Sequence, residues 1–398
     1  MDVAKGEEIV VIGAGRTPMG DFGGTLKDFP VYELGKLAIH GVLESTKIMP
    51  EEIGEVTGGN TRQAGNGPNP VRTAARMAGI AAGIPAVTIN NACPSSMKAL
   101  IITVQNLLLG EIKTGMVVGM ESMSTIPYLV KGIRWQGLRM GDHLLQDGWG
   151  DSVDPFVGFG MGITAENVAQ KYGITRMEQD EFALDSHKKA AQAQDNGWFD
   201  EEIIPIEVPG KKGKPAILFS KDESIRRDSN LEKMAAIKPC FKKDGSVTAA
   251  NSCSLTDGAS SMIVTTRQRA KELRAKPLFR IVSYATAAVE NAYMGEGPGI
   301  SIPIALGKVG MNLKDMDLIE VNEAFAAQVI TNERMLKWDR NKLNVHGGAI
   351  ALGHPTGCSG IRIIITGYHA LKRLNKEFAV CAICGGGGPT CAVVIQVE

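Results

Sequence analysis

Apolar positions along the chain form two kinds of pattern, short continuous runs and helical spacing. The runs 86–89 and 116–120 are short and apolar, as expected for buried strands. Between them, apolar residues recur at helical spacing at Met97, Leu100, Ile101, Val104 and Leu108. The pattern predicts a strand that ends shortly before Cys93 and a largely buried helix that follows Cys93 directly. Repeated alternation of strand, helix and strand favours parallel sheets with right-handed crossovers.

The strand and helix pattern is present twice. The stretch 32–56 resembles the stretch 302–319, at an offset of about 263 positions. Residues 95–101 match residues 359–365 at nearly the same offset, and each copy then runs into an apolar strand and a glycine turn. Chance similarity between two amphipathic helices is common, but two matches in register favour an internal duplication.

The duplication divides the chain into two halves and an insertion. We predict an N-terminal half from residues 1–120 plus 247–272 and a C-terminal half from residues 273–398. Residues 121–246 fit neither copy and are rich in charge, glycine and turns, so we predict an inserted loop domain there. A chain of 398 residues is long enough for such an arrangement.

The composition excludes several classes of protein. The 43 basic and 43 acidic residues give a net charge of zero, so no overall field would attract nucleic acid or an anionic membrane. No apolar stretch reaches the ~18 residues that span a bilayer, and Met1 to Glu8 lack the apolar core of an export signal. The 7 cysteines form no dense framework, which indicates reduced thiols. We therefore expect a cytoplasmic protein.

Cys93 stands at the junction of the predicted strand and the predicted helix. Unsatisfied N–H groups and the positive end of the helix dipole would then face the sulfur. They would lower the pKa of the thiol and favour the nucleophilic thiolate. A buried structural cysteine is the commoner outcome for this residue type. The position at a strand-to-helix junction gives the interpretation as a nucleophile about equal weight.

Three further positions carry candidate chemistry. His354 lies between glycines, which let a substrate approach the backbone, so it suits a base for a thiol or a donor to a thioester oxygen. His346 in the same loop is the weaker candidate. Cys384 precedes a run of glycines whose N–H groups can stabilise an oxyanion, with the thiol as proton donor or acceptor. Asn322 follows an apolar strand, where it can orient a water or cap the next helix.

Other interpretations of these motifs are weaker. Cys381 and Cys384 have the spacing of a thioredoxin-type redox pair, but they lie on the last strands rather than early in the unit. The glycine run lacks the Lys and the Ser or Thr of a phosphate loop. No cluster of Cys, His, Asp and Glu has convincing zinc spacing, so we predict no metal.

An ordered set of motifs makes the sequence similar to the thiolase family over essentially the whole chain. The motifs are residues 16–20 (RTPMG), 90–95 (NNACPS), 119–124 (GMESMS), 161–167 (MGITAEN), 322–325 (NEAF), 347–357 and 384–386 (CGG). Any one motif is weak, whereas the ordered set is specific. The resemblance implies a duplicated α/β fold, in which two βαβαβαββ halves form a five-layered α-β-α-β-α core, and an enzyme of the acetyl-CoA C-acyltransferase type.

The resemblance also implies a division of labour in the site. Cys93 would attack an acyl-CoA and carry the acyl group, His354 would activate Cys93, and Cys384 would exchange the proton at the α-carbon of the other thioester. One oxyanion hole would come from His354 and a water held by Asn322. The other would come from the backbone N–H groups of Cys93 and Gly386. Coenzyme A is then substrate and product, and no bound cofactor is expected.

Further positions correspond to the family's contacts with coenzyme A and the acyl group. Arg226 matches the basic position of the nucleotide-binding stretch, although a solvated charge run is the ordinary interpretation of residues 226–227. Ala249 and Cys253 match positions that touch the pantetheine arm. The acyl pocket would be lined by Met161, Met294 and Phe325. Methionine is also an ordinary core filler.

Two positions depart from acetoacetyl-specific members of the family, which often have histidine and serine where this chain has Gly160 and Cys253. Loss of the imidazole removes volume and a polar contact near the pantetheine and acyl region. We therefore hypothesise a 3-oxoacyl-CoA substrate bulkier than acetoacetyl-CoA, branched or aromatic, for example of the benzoylsuccinyl-CoA type. The alternatives are an acetoacetyl-CoA thiolase of central metabolism and a thiolase-like scaffold that binds acyl-CoA without catalysis.

The expected partners follow from the resemblance. The ligands would be acyl-CoA and coenzyme A, and a homodimer or homotetramer is expected, with residues 67–72 near the dimer contact. Some thiolase-like proteins also work with a small acyl-CoA-binding partner subunit. A related condensing enzyme such as a ketoacyl synthase normally has histidine in place of the second cysteine, which Cys384 contradicts.

Overall fold

The computed structural model describes residues 7–210, 213 and 215–398, apart from the side chains of Gln136 and Asp151. Residues 1–6, part of the stretch in which no export signal is expected, lie outside the described residues. The strands are β1 (Ile9–Arg16), β2 (Gly20–Asp21), β3 (Glu55–Gly59), β4 (Ala86–Ile89), β5 (Thr114–Ser122), β6 (Tyr128–Leu129), β7 (Gln146–Asp147), β8 (Val153–Asp154), β9 (Phe159–Gly160), β10 (Ile206–Val208), β11 (Ile217–Phe219), β12 (Thr256–Thr266), β13 (Phe279–Ala288), β14 (Leu318–Val321), β15 (Phe378–Cys384) and β16 (Pro389–Val397). The helices are α1 (Val31–Thr46), α2 (Pro70–Met77), α3 (Ser95–Leu108), α4 (Ile133–Gln136), α5 (Met161–Lys171), α6 (Arg176–Asp195), α7 (Leu231–Ala235), α8 (Arg267–Glu272), α9 (Gly297–Gly307), α10 (Ala326–Leu336), α11 (Ala349–Leu352) and α12 (Thr356–Leu374).

The order of the strands shows the internal duplication. It is β4-β3-β5-β12-β1 in the N-terminal half and β14-β15-β16-β13 in the C-terminal half. If β3, β5, β12 and β1 are matched with β14, β15, β16 and β13, the two orders are the same. A parallel bridge between Ile319 and Leu343 stands where β4 pairs with β3 in the other half. Strand β1 pairs with β13 at Val10 and Val11 and joins the two halves.

The pairing within each half is mixed, not all parallel as the alternation of strands and helices predicts. Parallel pairs join β3 to β4 and β5, and β14 to β15. The pairs β5 with β12, β12 with β1, β15 with β16 and β16 with β13 are antiparallel. Strands β15 and β16 are joined by residues 385–388, a connection too short for a parallel crossover. The matching connection from β5 to β12 holds the insertion.

Buried side chains form one layer between the two halves of the sheet and one layer outside each half. The central layer packs α3 and α12 against Val117 of β5 and Ile383 of β15. On the other face of β5, Met116 and Val118 pack with α1 and α2. Val380 of β15 packs with α9 and α10. Because successive strand residues point to opposite faces, each half of the sheet is covered on both sides, which confirms the five-layered arrangement.

The two central helices touch at their N-terminal ends. Ser96 Oγ donates to the carbonyl oxygen of Cys358 at 3.1 Å and accepts from the N–H of Ile361 at 3.2 Å. A Cβ on Gly360 would lie 2.5 Å from the backbone nitrogen of Met97, so this approach requires glycine. The segments that the sequence aligns as repeats are therefore in direct contact.

The chain between β5 and β12 lies against the C-terminal half, since α5 packs on α10 and α6 packs on α11. It is also tied to β1, because Arg16 Nε donates to Glu202 at 2.7 Å and Arg16 Nη1 donates to Asp222 at 2.8 Å. The boundaries of the loop domain at residues 121 and 246 stay a prediction. Within the described ranges, no helix combines the length and the apolar character needed to cross a bilayer.

Candidate active site

The carboxyl ends of β3 and β4 form one wall of the site. The two strands are parallel, so the residues that follow them emerge at the same edge of the sheet. The Asn60 N–H donates to the carbonyl oxygen of Ile89 at 3.2 Å. The side chain of Asn90 donates to the carbonyl oxygen of Thr61 at 3.2 Å. The loop after β3 therefore lies directly beside the segment that carries Cys93.

Cys93 follows a constrained turn ahead of α3. Ala92 has a φ of 52°, in the left-handed region that costs a non-glycine residue about 1 kcal/mol. Ser95 Oγ accepts from the Asn91 N–H at 2.8 Å and donates to the carbonyl oxygen of Ala92 at 2.5 Å, which holds the turn. Helix α3 begins at Ser95, so the cysteine lies just before the helix, where the sequence pattern places it.

The glycine turn after β15 brings the C-terminal half against Cys93. A Cβ on Gly385 would lie 2.5 Å from Pro94 Cδ and 3.1 Å from the Cys93 nitrogen, so only glycine allows this approach. The backbone N–H groups of Gly386 and of Cys93 itself are close enough to the Cys93 sulfur to lower the pKa of its thiol. N–H groups from both halves of the chain thus act beside this sulfur, where such donors can stabilise an oxyanion.

The thiol of Cys93 is protonated in the free protein at neutral pH. Burial raises its pKa to about 11, although the N–H of Gly386 and the charge of Arg62 act in the opposite direction. The expectation that the helix N-terminus produces a low pKa is therefore wrong, because desolvation of the sulfur outweighs the nearby donors and charges. A base has to accept the proton when the sulfur attacks.

We expect alkylation of Cys93 by iodoacetamide to accelerate about tenfold per pH unit from about pH 7 to about pH 9, because the thiolate fraction rises in this way below a pKa of about 11. Peptide mass spectrometry gives the rate at Cys93 alone. Glutathione is the reference, since an ordinary thiol levels off near its pKa of about 8.5. A rate at Cys93 that is already constant at pH 7 would contradict the raised pKa.

Cys384 ends β15 within an apolar cluster. The cluster contains Ala165, Val247, Met294, Ala324, Phe325 and Cys384, with Met161 packed against it. A Cβ on Gly386 would lie 2.9 Å from the sulfur of Met161, so the cluster reaches the turn beside Cys93. The three residues predicted to line the acyl pocket are therefore together, next to the second cysteine.

The thiols of Cys93, Cys253 and Cys384 lie within electrostatic reach of one another. Burial, and then the neighbouring Cys93, raise the pKa of Cys253 to about 12. Burial and the same neighbour raise the pKa of Cys384 well above the ordinary value. Cys384 is therefore a thiol that holds its proton, placed beside the candidate nucleophile.

The buried ring of His354 presents one free nitrogen. Nδ1 lies 2.7 Å from Ser359 Oγ, and that hydroxyl donates to the carbonyl oxygen of Pro355 at 3.1 Å. The hydroxyl has a single proton, so it accepts from Nδ1–H and leaves Nε2 unprotonated. Nε2 has no hydrogen-bond partner among the described residues. Burial lowers the pKa of His354 to about 3, helped by Arg362, so the ring is a neutral base.

The segment between Cys253 and Thr256 connects His354 to the rest of the site. The N–H of His354 donates to the carbonyl oxygen of Ser254 at 3.3 Å and to Thr256 Oγ1 at 3.1 Å. The N–H of Cys253 donates to the carbonyl oxygen of Ala324 at 3.1 Å. This segment therefore lies between the loop after β14 and the loop before α12.

Asn322 is the first residue of the loop after β14. Its side chain is fully buried, and neither its oxygen nor its nitrogen has a partner within the described part of the chain. Phe325 occupies the N-cap position of α10 without a side-chain hydrogen bond, so Asn322 is not the helix cap that the sequence leaves open. A buried amide in this state needs a water or a ligand group.

Glu121 holds the loop after β3 to the start of α12. Its buried carboxylate accepts from the side chains of Asn60, Thr61 and Thr356 and from the N–H groups of Thr61, Arg62 and Gly357. Sequence reasoning included Glu121 only as part of a motif. The available signal was a carboxylate at the end of an apolar strand.

A polar pocket opens on the side of the insertion. It is lined by Asp21, His187, Glu223, Ser224, Arg226, Ala249, Ser252, Ser254 and Ile350. Arg226 and Ala249, both predicted to bind coenzyme A, therefore share one pocket. Ser252 and Ser254, the two sequence neighbours of Cys253, also line this pocket. Sequence reasoning missed His187, whose Nδ1 accepts from the Arg226 N–H at 3.2 Å.

His346, the weaker histidine candidate, lies elsewhere. Its ring packs against Trp198 and Phe199, and its Nε2 accepts from Arg373 Nε at 2.9 Å. Within the residues that the structure describes, no group of three or more His, Cys, Asp and Glu side chains is placed to hold a metal ion.

Comparison with known proteins agrees with this geometry. Residues 9–268 match the thiolase N-terminal domain and residues 275–397 match the thiolase C-terminal domain. The acetyl-CoA acetyltransferase of Cupriavidus necator is 43% identical over 98% of this chain and 99% of its own length. Human mitochondrial 3-ketoacyl-CoA thiolase has a TM-score of 0.95 at 40% identity, with 98% of this chain and 99% of that chain covered. Its complex with CoA has a TM-score of 0.94 at 39% identity, with 98% of each chain covered. This chain belongs to the thiolase family of acyltransferases.

Proposed function

We propose that this chain catalyses CoA-dependent cleavage of a 3-oxoacyl-CoA, or the reverse Claisen condensation, through an acyl-enzyme on Cys93. The observation that carries the proposal is the convergence of two chain halves on one sulfur. Cys93 meets N–H donors from its own segment and from the turn after β15, beside the protonated thiol of Cys384. His354 contributes a neutral ring with a free nitrogen.

The first step forms a bond between the Cys93 sulfur and C3 of the substrate and breaks the bond between C2 and C3. The Cys93 sulfur attacks the 3-oxo carbon while its proton passes to Nε2 of His354, and the bond between C2 and C3 then breaks. The N–H groups of Cys93 and Gly386 stabilise the oxyanion on the attacked carbon. The imidazolium of His354 and a water on Asn322 are the donors for the enolate oxygen of the departing thioester. A fixed set of donors is favourable because the charge develops only during the reaction.

The second step returns the enzyme to its starting state. Cys384 gives its proton to the enolate carbon, which completes the shorter acyl-CoA. The thiol of coenzyme A then passes its proton to the Cys384 thiolate and attacks the thioester on Cys93. The released Cys93 sulfur recovers the proton held by His354. Protons and electrons balance without any redox or metal cofactor, in agreement with thiolase chemistry.

Coenzyme A is proposed to occupy the polar pocket. Arg226 provides a cation for the nucleotide phosphates, and Ala249 and Cys253 border the path of the pantetheine arm towards Cys93. A human relative has been solved in complex with CoA, which supports CoA as a ligand of this chain.

A homodimer or homotetramer remains our proposal for the assembly. Large apolar side chains of the insertion are exposed, among them Trp135 (92%), Leu138 (72%), Met140 (105%) and Leu144 (82%). Exposed apolar side chains of this size in one segment favour a protein contact. The dimer contact at residues 67–72, the small partner subunit and the cytoplasmic location stay predictions.

For the substrate, we propose a 3-oxoacyl-CoA larger than acetoacetyl-CoA. Gly160 precedes α5 beside Met161, and a Cβ at this glycine would meet only the carbonyl oxygen of Ser152, at 3.8 Å. The position where acetoacetyl-specific relatives often have histidine is therefore open. An acetoacetyl-CoA thiolase is the second candidate, and it is favoured by the name of the Cupriavidus necator relative.

A panel of 3-oxoacyl-CoA esters separates the two candidates. We expect kcat/KM for branched or aromatic esters to exceed that for acetoacetyl-CoA, and Gly160→His to lower it about tenfold for the large esters by filling the open space. Gly83→His is the control, since a Cβ at Gly83 would meet no atom within 4 Å and this glycine lies on a surface loop. Much faster cleavage of acetoacetyl-CoA than of every larger ester would contradict the bulkier substrate and support the second candidate.

A further inference from the structure

Arg62 stands at the edge of the sheet between the two segments that carry the proposed nucleophile and base. The carbonyl oxygen of the preceding Thr61 accepts from the segment of Cys93 at 3.2 Å. The Thr61 hydroxyl contacts the hydroxyl of Thr356, two residues beyond His354, at 2.5 Å. The Arg62 side chain also lies close enough to Cys93 for its charge to act on the thiol.

The guanidinium of Arg62 is held in place by the insertion. Nη2 donates to Ser152 Oγ at 2.6 Å, and the group lies 4.8 Å from the ring centre of Trp149. Nε is buried and has no acceptor among the described residues. Glu121 accepts the backbone N–H of Arg62, but among the described side chains no carboxylate forms an ion pair with the guanidinium.

The same part of the insertion borders the proposed acyl pocket. The carbonyl oxygen of Ser152 faces the open position at Gly160, and Met161 contacts Gly386 beside the Cys93 sulfur. The segment that holds Arg62 therefore borders the open position at Gly160, and Met161 stands between that position and the turn beside Cys93. A cavity of about 60 Å³ adjoins the guanidinium, lined by Thr61, Arg62, Gln63, Pro127, Leu129 and Gly148.

We propose that Arg62 recognises a carboxylate at the far end of the acyl chain, so that the preferred substrate is a 3-oxoacyl-CoA with a carboxylate on its acyl part. The proposal rests on the thiolase function proposed above and narrows its substrate class. A guanidinium is the side chain best suited to a carboxylate, because its planar donors match the two oxygens. A neutral chain would leave the buried Nε without an acceptor, which is unfavourable.

Arg62 takes no part in bond making in this scheme. Cleavage between C2 and C3 leaves the acyl part on Cys93 as the half-thioester of a dicarboxylic acid, and coenzyme A then removes it as the corresponding half-thioester. The carboxylate is unchanged throughout, and Arg62 only fixes the direction of the chain.

The test compares two esters with the same number of carbon atoms, 3-oxohexanoyl-CoA and the mono-CoA thioester of 3-oxohexanedioic acid, whose carboxylate lies at the far end. We expect the full chain to favour the carboxylated ester at least about tenfold in kcat/KM. Arg62→Met should reduce this ratio at least about tenfold, and Arg62→Lys should retain part of it. Arg134→Met removes an exposed cation of the insertion and should leave the ratio unchanged. The ratio is used because any effect of Arg62 on the reactivity of Cys93 is common to both esters.

Three results would overturn the inference. One is ready cleavage of 3-oxohexanoyl-CoA by the wild-type chain, with a kcat/KM equal to or above that for the carboxylated ester. The thiolase function then stands and the proposed substrate class is wrong. Another is an Arg62→Met variant, folded as judged by its thermal unfolding, that loses activity equally on both esters, which indicates a purely structural arginine. A third is an Arg62→Lys variant whose ratio equals that of Arg62→Met while Arg134→Met lowers it as well. Failure to cleave either ester or acetoacetyl-CoA would instead remove the proposed function itself.

Discussion

Cys93→Ala is expected to abolish thiolytic cleavage, with a fall in kcat of at least about 10⁴. The methyl group cannot form the thioester on which both half-reactions depend, although the N–H donors around it remain. Steady-state cleavage of a 3-oxoacyl-CoA measures the loss. Intact-protein mass spectrometry after mixing with substrate in the absence of free coenzyme A shows the cause, because the wild-type chain should gain the mass of the acyl group and the variant should not.

Cys240→Ala is the matched control for this experiment. Cys240 is an exposed thiol outside the site, so its removal should leave both the rate and the acyl mass unchanged. Activity of Cys93→Ala above about one percent would show that another nucleophile acts. Cys253 would then be the residue to examine, since its thiol lies within electrostatic reach of the same place.

The fold could be predicted from the sequence where two copies of one pattern can be compared. The match of residues 95–101 with residues 359–365 identified α3 and α12, which touch through Ser96 and Cys358. Strand direction was not predictable in the same way, because an apolar run has the same pattern in a parallel and an antiparallel sheet. The mixed sheet therefore appears only in the structure, where the turn at residues 385–388 forces β15 and β16 to be antiparallel.

The position of Cys93 was easier to predict than its protonation. A strand followed at once by a helix places the cysteine at the sheet edge, and the structure has it there. The pKa depends on how much of the sulfur's surroundings is removed from water, and those surroundings come from the distant turn at Gly385 and Gly386. The local sequence indicates the helix dipole beside Cys93 but not the burial of its sulfur. The predicted direction of the pKa shift was therefore wrong.

Residues whose role depends on contacts with distant parts of the chain were the hardest to predict. Arg62 follows a strand parallel to the one before Cys93, so the rule that ligands bind beyond the carboxyl ends of such strands could have singled it out. Its contacts with Trp149 and Ser152 could not be anticipated, because they join residues far apart in the sequence. Ser359, which orients His354, was hidden for a simpler reason: a serine in the first turn of a helix has many ordinary roles.

Cys384→Ala is expected to separate the two half-reactions. Cleavage of a 3-oxoacyl-CoA should fall about 10³-fold, because the enolate loses its proton donor and the incoming thiol loses its proton acceptor. Exchange of labelled coenzyme A into a simple acyl-CoA needs Cys93, His354 and the N–H donors but forms no enolate, so it should fall no more than about tenfold. The ratio of these two rates is the measurement.

Cys381→Ala is the control for Cys384→Ala, since Cys381 lies on the same strand and faces the central apolar layer instead of the site. It should cost some stability through the lost buried sulfur, seen as a lower unfolding temperature, and leave the ratio of the two rates unchanged. Equal losses of cleavage and exchange in Cys384→Ala would assign Cys384 to the support of Cys93 alone. A selective loss of cleavage, absent from Cys381→Ala, requires a second thiol that moves protons at carbon, which the raised pKa of Cys384 already makes chemically reasonable.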